Sequence, residues 1–125
     1  MNRVLIVGKL TRDPETRSLA SGATVTTFTV AVEALDDDGR SEYVPVLCWA
    51  GLAMATGRVL SKRDRVGLTG SIRTRSWDDD RGVRHWKTEV VADHVELYGS
   101  ARSRDALAAA IRESSDALAP TGGAA

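Results

Sequence analysis

The sequence predicts an all-β domain: five strands closed into a barrel, with one short helix between the third and fourth. Three observations carry this. Five segments before residue 100 place apolar residues at every second position, the period of a half-buried strand. Only one stretch among them, Gly51 to Leu60, lacks that alternation and reads as a helix. Composition then shifts once, near Gly99: β-branched residues dominate before it, and Ala, Ser and Gly after it. Residues 1–99 are therefore expected to form the domain, with 100–125 as a C-terminal extension. There is no internal repeat.

The first strand runs from Arg3 to Leu10. The polar stretch Thr11 to Glu15 follows, and Pro14 within it blocks strand pairing. Ser21-Gly22 marks a turn. Thr24 to Glu33 is the second strand, with Phe28, Val30 and Val32 on its apolar face. Asp36-Asp37-Asp38-Gly39 ends in an Asp-Gly pair that favours a tight hairpin. Ser41 to Cys48 is the third strand. It sends Val44, Val46 and Cys48 to one side and Tyr43, Pro45, Leu47 and Trp49 to the other. The helix over Gly51–Leu60 is weak, because Gly57 lies inside it. The fourth strand, Arg65 to Arg75, points Val66, Leu68, Gly70 and Ile72 inward. Thr69, Ser71, Arg73 and Arg75 point outward, and Trp77 keeps that outward parity. Asp78-Asp79-Asp80-Arg81-Gly82 is a second acidic hairpin tip, and Val83 to Leu97 is a fifth strand long enough to bend or bulge. This element order is that of the oligonucleotide-binding (OB) barrel. In the extension, Ser103 to Ala119 has a capping residue in Ser103 and a loose stripe of Leu107, Ile111 and Leu118. It either packs as a helix or stays frayed.

Composition narrows the function. The chain has 125 residues, 42% hydrophobic and 27% charged, as expected for a globular protein and not a disordered one. No apolar run reaches the roughly 18 residues of a membrane helix, and the segment after Met1 does not read as a signal peptide. Cys48 is the single cysteine, so no internal disulfide or thiolate metal site is expected and the chain reads as cytoplasmic. Lys+Arg and Asp+Glu are 17 each. A nucleic-acid reading therefore rests on local charge.

That local charge accompanies the sharpest feature, Arg73-Thr74-Arg75-Ser76-Trp77. Alternate residues share a face, so two guanidiniums and an indole project together, each about 7 Å from the next. Arg84, Trp86 and Lys87 crowd the return strand. Between Arg58 and Arg75 six basic residues face one acid, Asp64. Tyr43, Trp49, Trp77 and Trp86 fall where a core-first pattern would place polar residues. Unpaired bases stack on such rings, and phosphates are tracked by such cations. A subunit interface is the competing use of these aromatics. Other chemistry has less support. Cys48 lies on the core face with no assured base, and His85 and His94 lack metal-ligand spacing. The acidic tips read as turns and not as a metal site, and the glycines form no phosphate loop. No enzyme activity and no cofactor are expected.

The chain resembles bacterial single-stranded DNA-binding proteins. The segment Asn2-Arg3-Val4-Leu5-Ile6-Val7-Gly8-Lys9-Leu10-Thr11-Arg12-Asp13-Pro14-Glu15 is similar to the family's first strand and turn. Trp49-Ala50-Gly51-Leu52-Ala53 and Leu60-Ser61-Lys62 are similar to the two ends of its helix. Val66 to Trp77 is similar to its fourth strand, and Thr88-Glu89-Val90-Val91-Ala92 to its fifth. The resemblance covers about residues 1–99. It implies an OB-fold and a homotetramer that binds single-stranded DNA without sequence preference, protecting it in replication, repair or recombination. It also implies a cytoplasmic, nucleoid-associated protein with no membrane contact. The family's stacking aromatics map onto Tyr43, Trp49 and Trp77, with Trp86 at a neighbouring position, and its strand-four cations onto Arg73 and Arg75. The full phosphate-contacting set is expected to be Arg3, Lys9, Lys62, Arg63, Arg73, Arg75, Arg84 and Lys87. Two departures stand out. Leu35 replaces an aromatic, which removes one stacking site. The ending Pro120-Thr121-Gly122-Gly123-Ala124-Ala125 lacks the acidic tip through which such proteins recruit replication enzymes, so that recruitment is not expected and a tail-less paralogue is. The alternatives are a primosome-type OB protein acting through protein contacts, and an RNA-binding OB module.

Overall fold

The computed structural model describes residues 1–33 and 39–118. Leu35, the Asp36–Asp38 triplet and the ending from Ala119 lie outside the described residues, as does the side chain of Leu118. The elements are β1 (Val4–Leu10), β2 (Glu15–Ser18), β3 (Thr24–Glu33), β4 (Ser41–Trp49), α1 (Ala50–Val59), β5 (Arg65–Asp78), β6 (Arg84–Leu97) and α2 (Ala101–Leu118).

The sheet runs β1-β5-β6-β4-β3-β2, and β1 pairs also with β3, at Lys9↔Ala31 and Leu10↔Val30. That pairing closes a ring of five strands, the predicted barrel. All its ladders are antiparallel except β4–β6, which meet in parallel at Val46↔Val90 and Leu47↔Val91. The sequence reading did not include β2. It lies outside the ring and extends the edge of β3 from Thr24 to Thr27, next to the stretch that β1 uses. Pro14 precedes β2, so its missing N–H costs the ladder nothing.

Period-two alternation fills the interior. Ile6, Leu10, Phe28, Val30, Val46, Cys48, Val66, Leu68, Val90, Val95 and Leu97 form one buried cluster. Burial pushes the Cys48 thiol up to about 12, with a hydrogen bond from Thr56 opposing, so it is a small hydrophobe and not a nucleophile. Helix α1 lies against β3 and β4 and adds Ala53 and Ala55 to the cluster. Thr26 Oγ1 donates to the Ala53 carbonyl at 2.6 Å. Gly57, unfavourable by propensity, is what lets the helix approach β2. A Cβ there would sit 2.1 Å from Thr16 Oγ1.

One inward expectation is corrected. Ile72 keeps the core parity but is 49% exposed. Its strand has by then run past the barrel. Among the described residues, Arg73–Asp78 and Arg84–Glu89 pair only with each other, forming a two-stranded arm. Asn2 holds the arm's base through both Ile72 backbone groups, at 2.7 and 2.8 Å. The expected bulge is present too. The register steps from Thr69↔His94 to Gly70↔Ala92 and leaves Asp93 unpaired.

The extension is helical. It begins two residues before the expected cap, and Ser100 Oγ accepts the Ser103 N–H at 3.2 Å. Helix α2 packs on α1 and β6, burying Leu107 to 1% exposure, and Arg58 pairs with Glu113 at 2.9 Å. Leu107→Ala is expected to lower stability by about 2–5 kcal/mol in urea denaturation. A parent-like midpoint would show that α2 contributes nothing to the core.

Candidate nucleic-acid interface

An open cleft of about 550 Å³ lies outside the barrel. Its floor is the outward face of β3 and β4: Thr27, Thr29, Pro45, Leu47 and Trp49. These positions are free for a ligand because their alternates, Phe28, Val46 and Cys48, face the core. One wall is the β1–β2 turn and β2, with Arg12, Asp13, Glu15 and Arg17. The other is the base of the arm, with Arg73, Arg75, Lys87 and Glu89. Five cations thus line the cleft against three carboxylates.

Two of the three carboxylates are engaged. Glu89 is 4% exposed; Arg75 Nε donates to it at 2.7 Å, and Lys87 Nζ stands 4.0 Å away. A buried carboxylate is costly without such partners. Asp13 Oδ1 accepts the backbone N–H of Lys62 at 2.8 Å.

Register decides which arm residues share the cleft side. Directly opposed residues of an antiparallel pair lie on one face. Arg73↔Glu89, Arg75↔Lys87 and Trp77↔His85 therefore share the cleft face. Thr74↔Thr88, Ser76↔Trp86 and Asp78↔Arg84 share the other. Trp77, 41% exposed, stands beyond the cleft on its cationic side, with the Arg75 guanidinium 4.8 Å from the ring centroid. Trp86, 67% exposed, is on the opposite side of the arm.

The structure thus brings Trp49, Arg73, Arg75 and Lys87 together, with Trp77 adjoining. Tyr43 is exposed at the far end of the same β4 face, about 20 Å from Trp49 along the strand. Arg3 is ion-paired with Asp93 at 2.6 Å, on the outward face of β1 and β6. Arg84 is paired with Asp78 at 3.1 Å. Lys9, Lys62 and Arg63 are exposed near the end of β1 and do not line the cleft. Sequence reasoning missed Arg12 and Arg17. Their signal was available only with β2 in place, since that strand sets them opposite the arm.

No three His, Cys, Asp or Glu residues gather as a metal site among the described residues. No described helix is long and apolar enough to cross a membrane.

The chain is similar to known proteins. The chain is 42% identical over 99 residues to the single-stranded DNA-binding protein of Caldanaerobacter subterraneus subsp. tengcongensis, covering 76% of this chain and 66% of that protein. It is 42% identical over 101 residues to the single-stranded DNA-binding protein of Clostridium tetani, covering 78% and 70%. A third relative, the single-stranded DNA-binding protein of Staphylococcus aureus, is 34% identical over 109 residues, covering 84% and 70%. The chain thus spans about two thirds of the length of the relatives it matches. A family model described as the single-strand binding protein family matches residues 1–98, the barrel with its arm, and the chain belongs to that family.

Proposed function

We propose that this protein binds single-stranded DNA without sequence preference, through a mechanism of equilibrium binding and not catalysis. The observation that carries the reading is the cleft itself: an aromatic and apolar floor between two walls of arginine and lysine. Bases lie on Trp49 and Leu47, and phosphates follow Arg73, Arg75 and Lys87 on one side and Arg12 and Arg17 on the other. Trp77 continues the path along the arm. Tyr43 and Trp86 extend it where a longer strand leaves the cleft, and Lys9, Lys62 and Arg63 take phosphates near the β1 end. Arg3 and Arg84 are the least favoured phosphate contacts, because each already holds an aspartate. In this reading the barrel and arm, residues 1–99, hold the strand, and α2 braces the far side. The protein acts in the cytoplasm, on strands exposed in replication, repair or recombination.

The same reading includes self-association into a tetramer. Support comes from β1. Among the described residues its outer edge has no strand partner before Lys9, and Leu5 and Val7 on its outward face are 75% and 43% exposed. An unpaired edge beside apolar side chains is a template for another copy. Light scattering is expected to give four times the 13.4 kDa chain mass, and Leu5→Asp to give a smaller species. A monomeric parent would end this part of the proposal.

Titration of tryptophan fluorescence with oligo-dT tests the binding itself. Trp77→Ala is expected to weaken binding by about 1–3 kcal/mol, the range for one stacked base, and to reduce quenching. Unchanged affinity would take Trp77 off the path. Arg73→Ala is expected to reduce the slope of log K against log salt by about 0.7, one phosphate contact on a single strand. A parental slope would remove Arg73 from the phosphate track. Preference for poly-U over poly-dT in competition would turn the reading toward RNA.

A further inference from the structure

The tip of the arm is organised by one carboxylate. Asp79 Oδ1 accepts the backbone N–H groups of Arg81 and Val83, at 2.8 and 2.9 Å. Its Oδ2 lies 2.8 Å from His85 Nε2. The turn closes from Gly82 N–H to the Asp79 carbonyl at 2.9 Å, with Gly82 at φ +78°, a conformation that suits glycine. Asp79 is held below the usual carboxylate range, first by the His85 contact and then by the Val83 and Arg81 amides. The middle residue of this acidic triplet is thus a structural acceptor, already satisfied, and not an open charge facing a phosphate.

His85 is what that acceptor holds in place. It sits directly across the ladder from Trp77. The two rings are 5.5 Å apart between centroids and 21° from parallel, an offset stack. The Asp79 contact at the ring edge and the indole against its face fix the imidazole, so little rotamer freedom remains to be lost when a ligand arrives. The His85 side chain is still 46% exposed. The charged groups around it on this face are Asp79, Arg75 and Lys87. Phosphates tracked by the two cations would therefore bring their bases to these rings.

We propose that His85 is a nucleobase-contacting residue that forms with Trp77 a two-ring platform on the cleft face of the arm, and that Asp79 positions its ring. The ligand is an unpaired base of a single strand, and the inference rests on the single-stranded DNA reading above. A flat neutral or protonated imidazole accepts a base face without selecting its identity, as a sequence-tolerant platform requires.

Fluorescence titration with oligo-dT on the full chain tests it, using His85→Ala and His85→Phe with thermal melts alongside. His85→Ala is expected to bind about fivefold or more weakly, the low end of one stacking contact, while melting like the parent. His85→Phe keeps a ring without the Asp79 contact and is expected to recover most of the affinity. Parental affinity in His85→Ala would overturn the proposal, and so would a loss in His85→Phe as large as in His85→Ala. If the parent itself fails to bind oligo-dT, the functional reading falls, and this inference with it. If the parent binds and His85→Ala binds equally, only this inference falls.

Discussion

Closing five strands into a ring is the constraint from which the rest of the molecule follows. Inward positions on the ring have to be filled mainly by apolar side chains that pack without a void. Phe28, Val30, Val46, Leu68 and Val95 do this. Because side chains alternate, the same requirement releases the residues between them. Thr27, Thr29, Leu47 and Trp49 carry no packing duty inside the barrel and are available as a floor. The arm begins where the constraint ends. Past Gly70, β5 loses β1 as a neighbour, and both faces of the hairpin turn outward. A wall for the cleft is thus obtained by extending two strands beyond the ring that anchors them.

A cleft proposed to hold a polyanion contains a buried carboxylate, Glu89, and the conflict has a physical resolution. The chain is neutral as a whole, so the field at any point depends on which charges are already paired within a Debye length of about 8–10 Å. Glu89 neutralises part of Arg75, but it also fixes the guanidinium through Nε, a bond that does not use the two terminal nitrogens of the fork. A fixed cation loses less entropy on meeting a phosphate than a free one. Within the arm, Asp78 and Asp79 are likewise engaged, by Arg84 and His85. The acidic content of the arm thus goes largely into holding its shape.

Most of the barrel was legible because alternation is a local signal. The observed β3 has the bounds read from its alternating residues, and β4 buries Val46 and Cys48 while Tyr43 stays exposed on its other face. What was illegible depended on partners distant in sequence. The four residues of β2 are all exposed and have no apolar alternation, and only the edge of β3 makes them a strand. With β2 missing, Arg12 and Arg17 had no cleft to line. Among the described side chains of α2, Leu107 is the one large apolar residue that is fully buried, in a stretch rich in alanine, and its docking depends on a complementary α1. The glycine that lowers the helix propensity of α1 is the one its contact with β2 demands.

The sidedness of the arm shows the limit most sharply. Parity within β5 places Trp77 with Arg73 and Arg75, and parity within β6 places Trp86 with Thr88. Neither says how the two strands are set against each other. That is decided by the tip, where Asp79 pairs with Val83 through the backbone and fixes Trp77 opposite His85. A one-residue shift in the register would have put both indoles on one face. As built, the cations gather with Trp77, while the only arginine on the other face, Arg84, is tied to Asp78. The two tryptophans are therefore not equivalent surfaces. A strand held at Trp77 has phosphate anchors within reach, whereas contact at Trp86 rests on ring area alone. Its contribution would belong to the part of the binding free energy that salt leaves unchanged.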